Sequence, residues 1–307
     1  MAEEVSPAVA RRRLRLALRD AREHAGKTQQ EVAEQMEWSL SKVIRIEAGD
    51  NTIAPNDLRP LLTFVGIKDR AAVNDLMAIA KIARTRQRQA WYQRPEYREH
   101  LTYAMRQQIE YEAEAEAIWY WSVFYMPGPL QTPEYAHANL ETFDDEDLSE
   151  ERRHYRAEAR RLRREVVLSR LGALKIFALL DESVFRRPLG GPDVFLGQLR
   201  EMHRLAADGL IKLRMVPFDF EASVTNNATF DLLSLDLDDE GSEVLYREVG
   251  LSDEIIEDRV TTRRHHARFD KIWNDAYNEE DTIDFMRGRI SDLEALIERR
   301  KNPEQLS

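Results

Sequence analysis

The chain has 307 residues, 43% hydrophobic and 33% charged, with a net charge of −11 and no cysteine. That length supports two domains with their own cores, and the missing thiol removes disulfides, iron–sulfur clusters and thiol catalysis. No apolar run approaches the roughly 18–20 residues of a membrane span, and the opening MAEEVSPAVARRRL lacks the apolar stretch of a signal peptide, so a cytoplasmic protein is expected. The net charge hides a split. Residues 1–100 carry 18 basic against 14 acidic side chains (+4), and residues 101–307 carry 27 against 42 (−15). Only the basic head suits a polyphosphate partner.

In chain order, RRRLRLALRDAREHA (11–25) reads as a basic amphipathic helix with Leu14, Leu18 and Ala21 on one stripe, closed by Gly26. Thr28 to Glu31 is a capping box that opens a helix to about Met36. After Glu37-Trp38, Ser39 is a good N-cap for a third helix ending at Ala48-Gly49. Residues 53–65 read as a fourth helix, with Pro60 near its first turn, and 69–83 as a fifth. Residues 84–100, basic, aromatic and containing a proline, read as a linker. A helix is expected over 101–125, a proline-rich turn at 126–135, and helices over 133–141 and 146–171. The pattern then changes: strands are expected at 174–181, 211–218, 228–235 and 242–249, and helices at 192–208, 253–277 and 281–300. The fold class is therefore mostly α with a smaller α/β part. A five-helix head (1–83) precedes a linker (84–100) and a helical and α/β C-terminal domain (101–307).

The functional signal lies in VAEQMEWSLSKVIRIEAGDN (32–51). Two short helices joined by a three- or four-residue turn form a helix-turn-helix unit. Ala33 is small where the helices must cross, and Val32, Met36, Val43 and Ile46 supply the shared core. Ser39, Leu40, Ser41, Lys42 and Arg45 remain outward at the start of the second helix, where a recognition helix meets base edges. Arg reads guanine through paired donors, Ser is permissive and Leu touches a thymine methyl. Gln29, at the start of its helix, is placed for a phosphate. A helical hairpin whose polar face is merely solvated shares this pattern.

The longer stretch LRDAREHAGKTQQEVAEQMEWSLSKVIRIEAGDN resembles the XRE-type (Cro/repressor-like) helix-turn-helix family over residues 18–66. The resemblance implies that Arg22 and Glu47 form a buried structural ion pair, and that Gln29, Leu40, Ser41, Lys42 and Arg45 face DNA. One departure is Glu37, where the family usually has Gly; Glu37 must then take the turn conformation at some cost. With AWYQR, MPGPLQTPEYAHANL, FALLDESVFRRPLGGPDVFLGQL and IKLRMVPF, the chain also resembles the WhiJ-like two-part regulators of actinobacteria over roughly 11–290. Pro129 departs from their pattern. That resemblance implies DNA binding by the head, and a small acidic BldB-like partner protein.

The C-terminal domain offers little catalytic chemistry. His265-His266 are adjacent on a helix and point about 100° apart, Asp181-Glu182 reads as a helix cap, and Gly190-Gly191-Pro192 lacks any phosphate-loop spacing. No enzyme activity, metal or cofactor is expected. The aromatic run AIWYWSVFYMPG (117–128) completes a core or walls a ligand pocket or partner groove. The expected function is a sequence-specific DNA-binding transcriptional regulator whose C-terminal domain binds a partner protein or a small-molecule effector. The alternative is an antitoxin-like interaction component that holds a small partner and autoregulates its own promoter. A homodimer is expected. Its candidate contact is the seam Ile283, Met286, Ile290, Leu293 and Ile297, which packs equally well onto its own domain.

Overall fold

The computed structural model describes residues 7–49, 51–85, 90–142, 149–221, 229–239, 241–249 and 252–302. The chain divides into two compact units, Met1–Ala90 and Trp91–Ser307.

The first unit contains α1 (Pro7–His24), α2 (Gln29–Gln35), α3 (Leu40–Ala48), α4 (Pro55–Phe64) and α5 (Arg70–Ala83). Its start signals are those of the sequence. Thr28 and Glu31 cap α2 reciprocally, the Ser39 hydroxyl accepts from the Lys42 amide at 3.2 Å, and Asp69 accepts from the Ala72 amide at 2.8 Å. Leu14, Leu18, Val32, Ala33, Val43, Ile46, Leu58 and Ile79 meet in one core. Two details differ from expectation. Arg12 and Arg15 are buried rather than solvated. α4 begins at Pro55, because Ile53 is pulled into the core and Pro55 suits a first helical position. Pro60 therefore sits past the first turn.

The second unit opens with a 3-10 turn (Trp91–Gln93) and α6 (Pro95–His100), so most of the expected linker is folded. The reason is aromatic packing: Trp91 lies edge-on to Tyr97 at 5.0 Å, and Tyr97 to Tyr155 at 5.5 Å. Then come α7 (Tyr103–Glu114), β1 (Ala117–Ser122), a 3-10 turn (Gly128–Leu130), α8 (Pro133–Thr142) and α9 (Glu150–Ser169). β2 (Lys175–Asp181), α10 (Glu182–Arg186), α11 (Gly191–Ala207) and β3 (Lys212–Val216) follow. The chain ends with β4 (Phe230–Ser234), β5 (Glu243–Val249), β6 (Ser252–Ile256), α12 (Arg259–Asp275) and α13 (Glu279–Lys301).

The six strands form one mixed sheet in the order β3-β2-β1-β4-β5-β6. β1, β2 and β3 are parallel, and the other pairings are antiparallel. Two expected helices are corrected here. Residues 101–125 split into α7 and β1, because all six residues of AIWYWS are buried and a strand covered on both faces shows no alternation. Residues 253–277 split into β6 and α12, because the Asp258 side chain caps a helix that starts only there. Trp119 and Trp121 pack with Phe269 and Ile272 of α12 on one sheet face. On α13, Met286, Leu293 and Ile297 are buried, and the helix packs against α11. Of the two roles expected for this seam, packing onto its own unit accounts for Met286, Leu293 and Ile297, while Ile283 and Ile290 are half-buried.

Candidate nucleic-acid interface

The turn between α2 and α3 places the candidate DNA-facing residues. Glu37 has φ of 54° and is the one non-glycine residue with positive φ among those described. It bears the left-handed turn that usually falls to glycine, at a cost of roughly 1–2 kcal/mol. Trp38 then packs partly buried against the core, and the Ser39 cap sets the start of α3. Ser39, Leu40, Ser41 and Arg45 are exposed, and Lys42 is half-buried.

The expected residues are not equally free. The Ser39 oxygen already accepts from the helix, which leaves its O–H to donate. Lys42 lies 3.8 Å above the Trp38 ring and 3.3 Å from the Asp57 carboxylate, so it is held toward α4. Among the described residues the Arg45 side chain makes one hydrogen bond, a long one to Asn51 at 3.4 Å. Gln29 donates its amide to Glu47 at 2.8 Å, so it is tied into the scaffold. Sequence reasoning missed Ile44, which is exposed beside Leu40. In VIRIE it reads as core, but its spacing from Leu40 puts it on the outer face, opposite buried Val43 and Ile46.

Behind this face, Arg22 and Glu47 tie α1 to α3. Arg22 Nε donates to Glu47 Oε1 at 2.7 Å, and Nη2 to Oε2 at 3.0 Å. The side chains are only 11% and 9% exposed. A third donor, Nη1, reaches the Lys27 carbonyl at 2.8 Å. The hydrogen bond to Glu47 raises the Arg22 pKa above its ordinary value. This bidentate pair fixes the angle at which α3 leaves the core.

The remaining sequence candidates have local explanations. The Asp181 carboxylate caps α10 through the Ser183 amide at 2.9 Å. Glu182 accepts from Arg186 and from the Phe218 amide. Gly190 and Gly191, both with positive φ, make the turn into α11. His265 bonds the Thr261 carbonyl, while His266 bonds Glu243 of β5. Among the described residues, no group of three or more His, Cys, Asp or Glu is placed to hold a metal ion. No described helix is long and apolar enough to cross a membrane.

A helix-turn-helix domain model matches residues 13–76. A family model described as a domain of unknown function (DUF5753) matches residues 105–288, more than half of the chain. No curated protein and no solved structure matches it.

Proposed function

The chain belongs to the DUF5753 family, and from that premise and its helix-turn-helix head we propose that it is a sequence-specific, DNA-binding transcriptional regulator. The carrying observation is the outer face of α3: Leu40, Ser41, Ile44 and Arg45 are exposed on a helix anchored from behind by Arg22 and Glu47. An α-helix whose outer face mixes aliphatic, hydroxyl and basic side chains, with no acidic group among these four, fits a major groove. In this reading Arg45 reads base edges, Leu40 and Ile44 meet thymine methyls, and Ser39 holds a phosphate. Lys42 reaches DNA only by leaving Trp38 and Asp57. The head is XRE-like, the two-part architecture is WhiJ-like, and no reaction is assigned to either unit. The C-terminal unit is the sensing or partner-binding body, with a small acidic protein among its candidate partners.

The test is binding of the full chain to duplex fragments selected from random sequence, measured by fluorescence anisotropy against salt. Log affinity should fall with log salt with a slope of roughly 0.9 per phosphate contacted. Arg45→Ala should cost about 1–3 kcal/mol on the selected site and little on random DNA. Equal losses on both would make Arg45 a phosphate contact, and no duplex binding at low salt would end the reading.

A further inference from the structure

At the C-terminal end of β1, the second unit encloses a cavity of about 350 Å³ between α7, α9 and the strand ends. This is where the sheet order reverses. From β1 the chain moves out through β2 and β3 and returns to β4 on the other side of β1. Crevices at such switch points are where open α/β sheets take ligands. The volume lies within the range of small-molecule sites.

One wall is cationic. Arg152, Arg156, Arg160 and Arg163, spaced along one face of α9, all line the cavity. Like charges at this spacing repel. Arg163 is neutralised by a bidentate pair with the buried Glu112. Among the described residues Arg160 has no such partner: its hydrogen bond to the Ala136 carbonyl is a long one at 3.5 Å, and Glu248 attracts it only at longer range. Burial pulls its pKa below the ordinary arginine value. The Arg152 Nε is buried with no acceptor.

The rest of the lining is rich in acceptors. Gln108 and Gln131 are 0% and 2% exposed, and the Oε1 atom of each is buried without a donor. The Thr229 hydroxyl is likewise unpartnered. Glu248 accepts from Tyr125, and Asp253 from Thr102 at 2.5 Å; the single proton of the Tyr246 hydroxyl is shared between Asp253 at 3.2 Å and Glu248 at 3.4 Å. Asp231 donates or accepts according to its protonation. Leu101, Met105, Ile109 and Phe230 supply an apolar part of the lining. Buried polar atoms are rarely left unpaired, and here four of them belong to residues that line one cavity.

We propose that this cavity binds a small organic anion whose phosphate or carboxylate sits against Arg152 and Arg160, with hydroxyl or amino donors directed at Gln108, Gln131 and Glu248. The proposal deepens the regulator reading by giving the C-terminal body a ligand class. Its test contains no DNA, so it stands or falls separately from DNA binding.

The test is thermal unfolding of the full chain with glucose phosphate in one arm and gluconate in the other, each against sodium chloride of equal ionic strength. A site of this kind gives a saturable rise, about 3–5 °C near ten times Kd. A rise in one arm alone identifies the anionic group; a rise in both supports the shared anion site. Arg160→Met should lose the response, and should melt no lower than the unliganded wild type because the half-buried cation it removes has no ion-pair partner among the described residues. Arg152→Gln should weaken the response, and it carries the same comparison if Arg160→Met does not fold. A cavity filled by water alone would give no saturable rise in either arm, and that result overturns the proposal. So does a full response retained in both variants.

Discussion

Three residues carry costs or couplings that single substitutions can read. Glu37 holds a left-handed φ of 54° without being glycine. Glu37→Gly should raise head stability by about 0.5–1 kcal/mol, since the relief of strain exceeds the added freedom of the unfolded chain. Unchanged or lower melting would show that the Glu37 side chain contributes more than its backbone costs. Arg22 and Glu47 make a pair that is almost closed to solvent, whereas Arg19 and Glu23 pair at 56% and 49% exposure. Arg22→Ala should destabilise the head by about 3–5 kcal/mol, and Arg19→Ala by less than about 1 kcal/mol. Similar melting of the two variants would mean that the first pair is not closed in solution. Asp231 is pushed by burial up to about 8, with Glu112 and Glu248 adding to the rise and Arg163 and Gln108 opposing it. A carboxyl with a raised native pKa holds its proton more tightly when folded, so stability from this group falls as pH climbs from near 3.8 to about 8. Asp231→Asn should flatten that fall and melt higher than wild type at pH 8; parallel pH curves for the two proteins would remove this account.

Among the elements, those with local signals were legible and those set by partners were not. The capping box at Thr28, the Ser39 cap and the Gly49 stop are each written in a few residues, and α2 and α3 follow them. β1 carries no such signal. All six of its residues are buried, with Trp119 and Trp121 against α12 far along the chain and Tyr120 toward Glu112 of the neighbouring α7, so no period of two marks it. β6 was hidden for another reason: its half-exposed SDEII shows no apolar alternation and is a strand only by pairing with β5 at the sheet edge, with Leu245 opposite Ile256. The heptad spacing on α13 was legible, but spacing does not say which surface covers it. In the structure α11 lies against it and Met286 is fully buried. Met286→Ala should therefore cost the second unit about 2–5 kcal/mol in chemical unfolding. A change below about 1 kcal/mol would return the seam to the surface.

For the whole molecule, the expected assembly rests on recognition physics. One recognition helix reads few bases, so such heads act in pairs on half-sites about one helical turn apart. Sedimentation of the full chain at micromolar concentration should give a dimer; a monomer there would remove it. By itself the sequence determined the five head helices and the polar and basic start of α3, because caps, helical periodicity and charge are local and additive properties of the chain; the Arg22–Glu47 pair was implied only by the family resemblance. Only the tertiary structure decided which of the expected DNA-facing residues are free. Gln29 and Lys42 are bound by Glu47 and Asp57, partners 18 and 15 positions away. It alone decided the sheet order and the cavity at the end of β1, where Arg160 of α9 and Gln108 of α7 come to line one space. Such convergence depends on strand pairing between segments far apart in sequence, and no short window of residues records it.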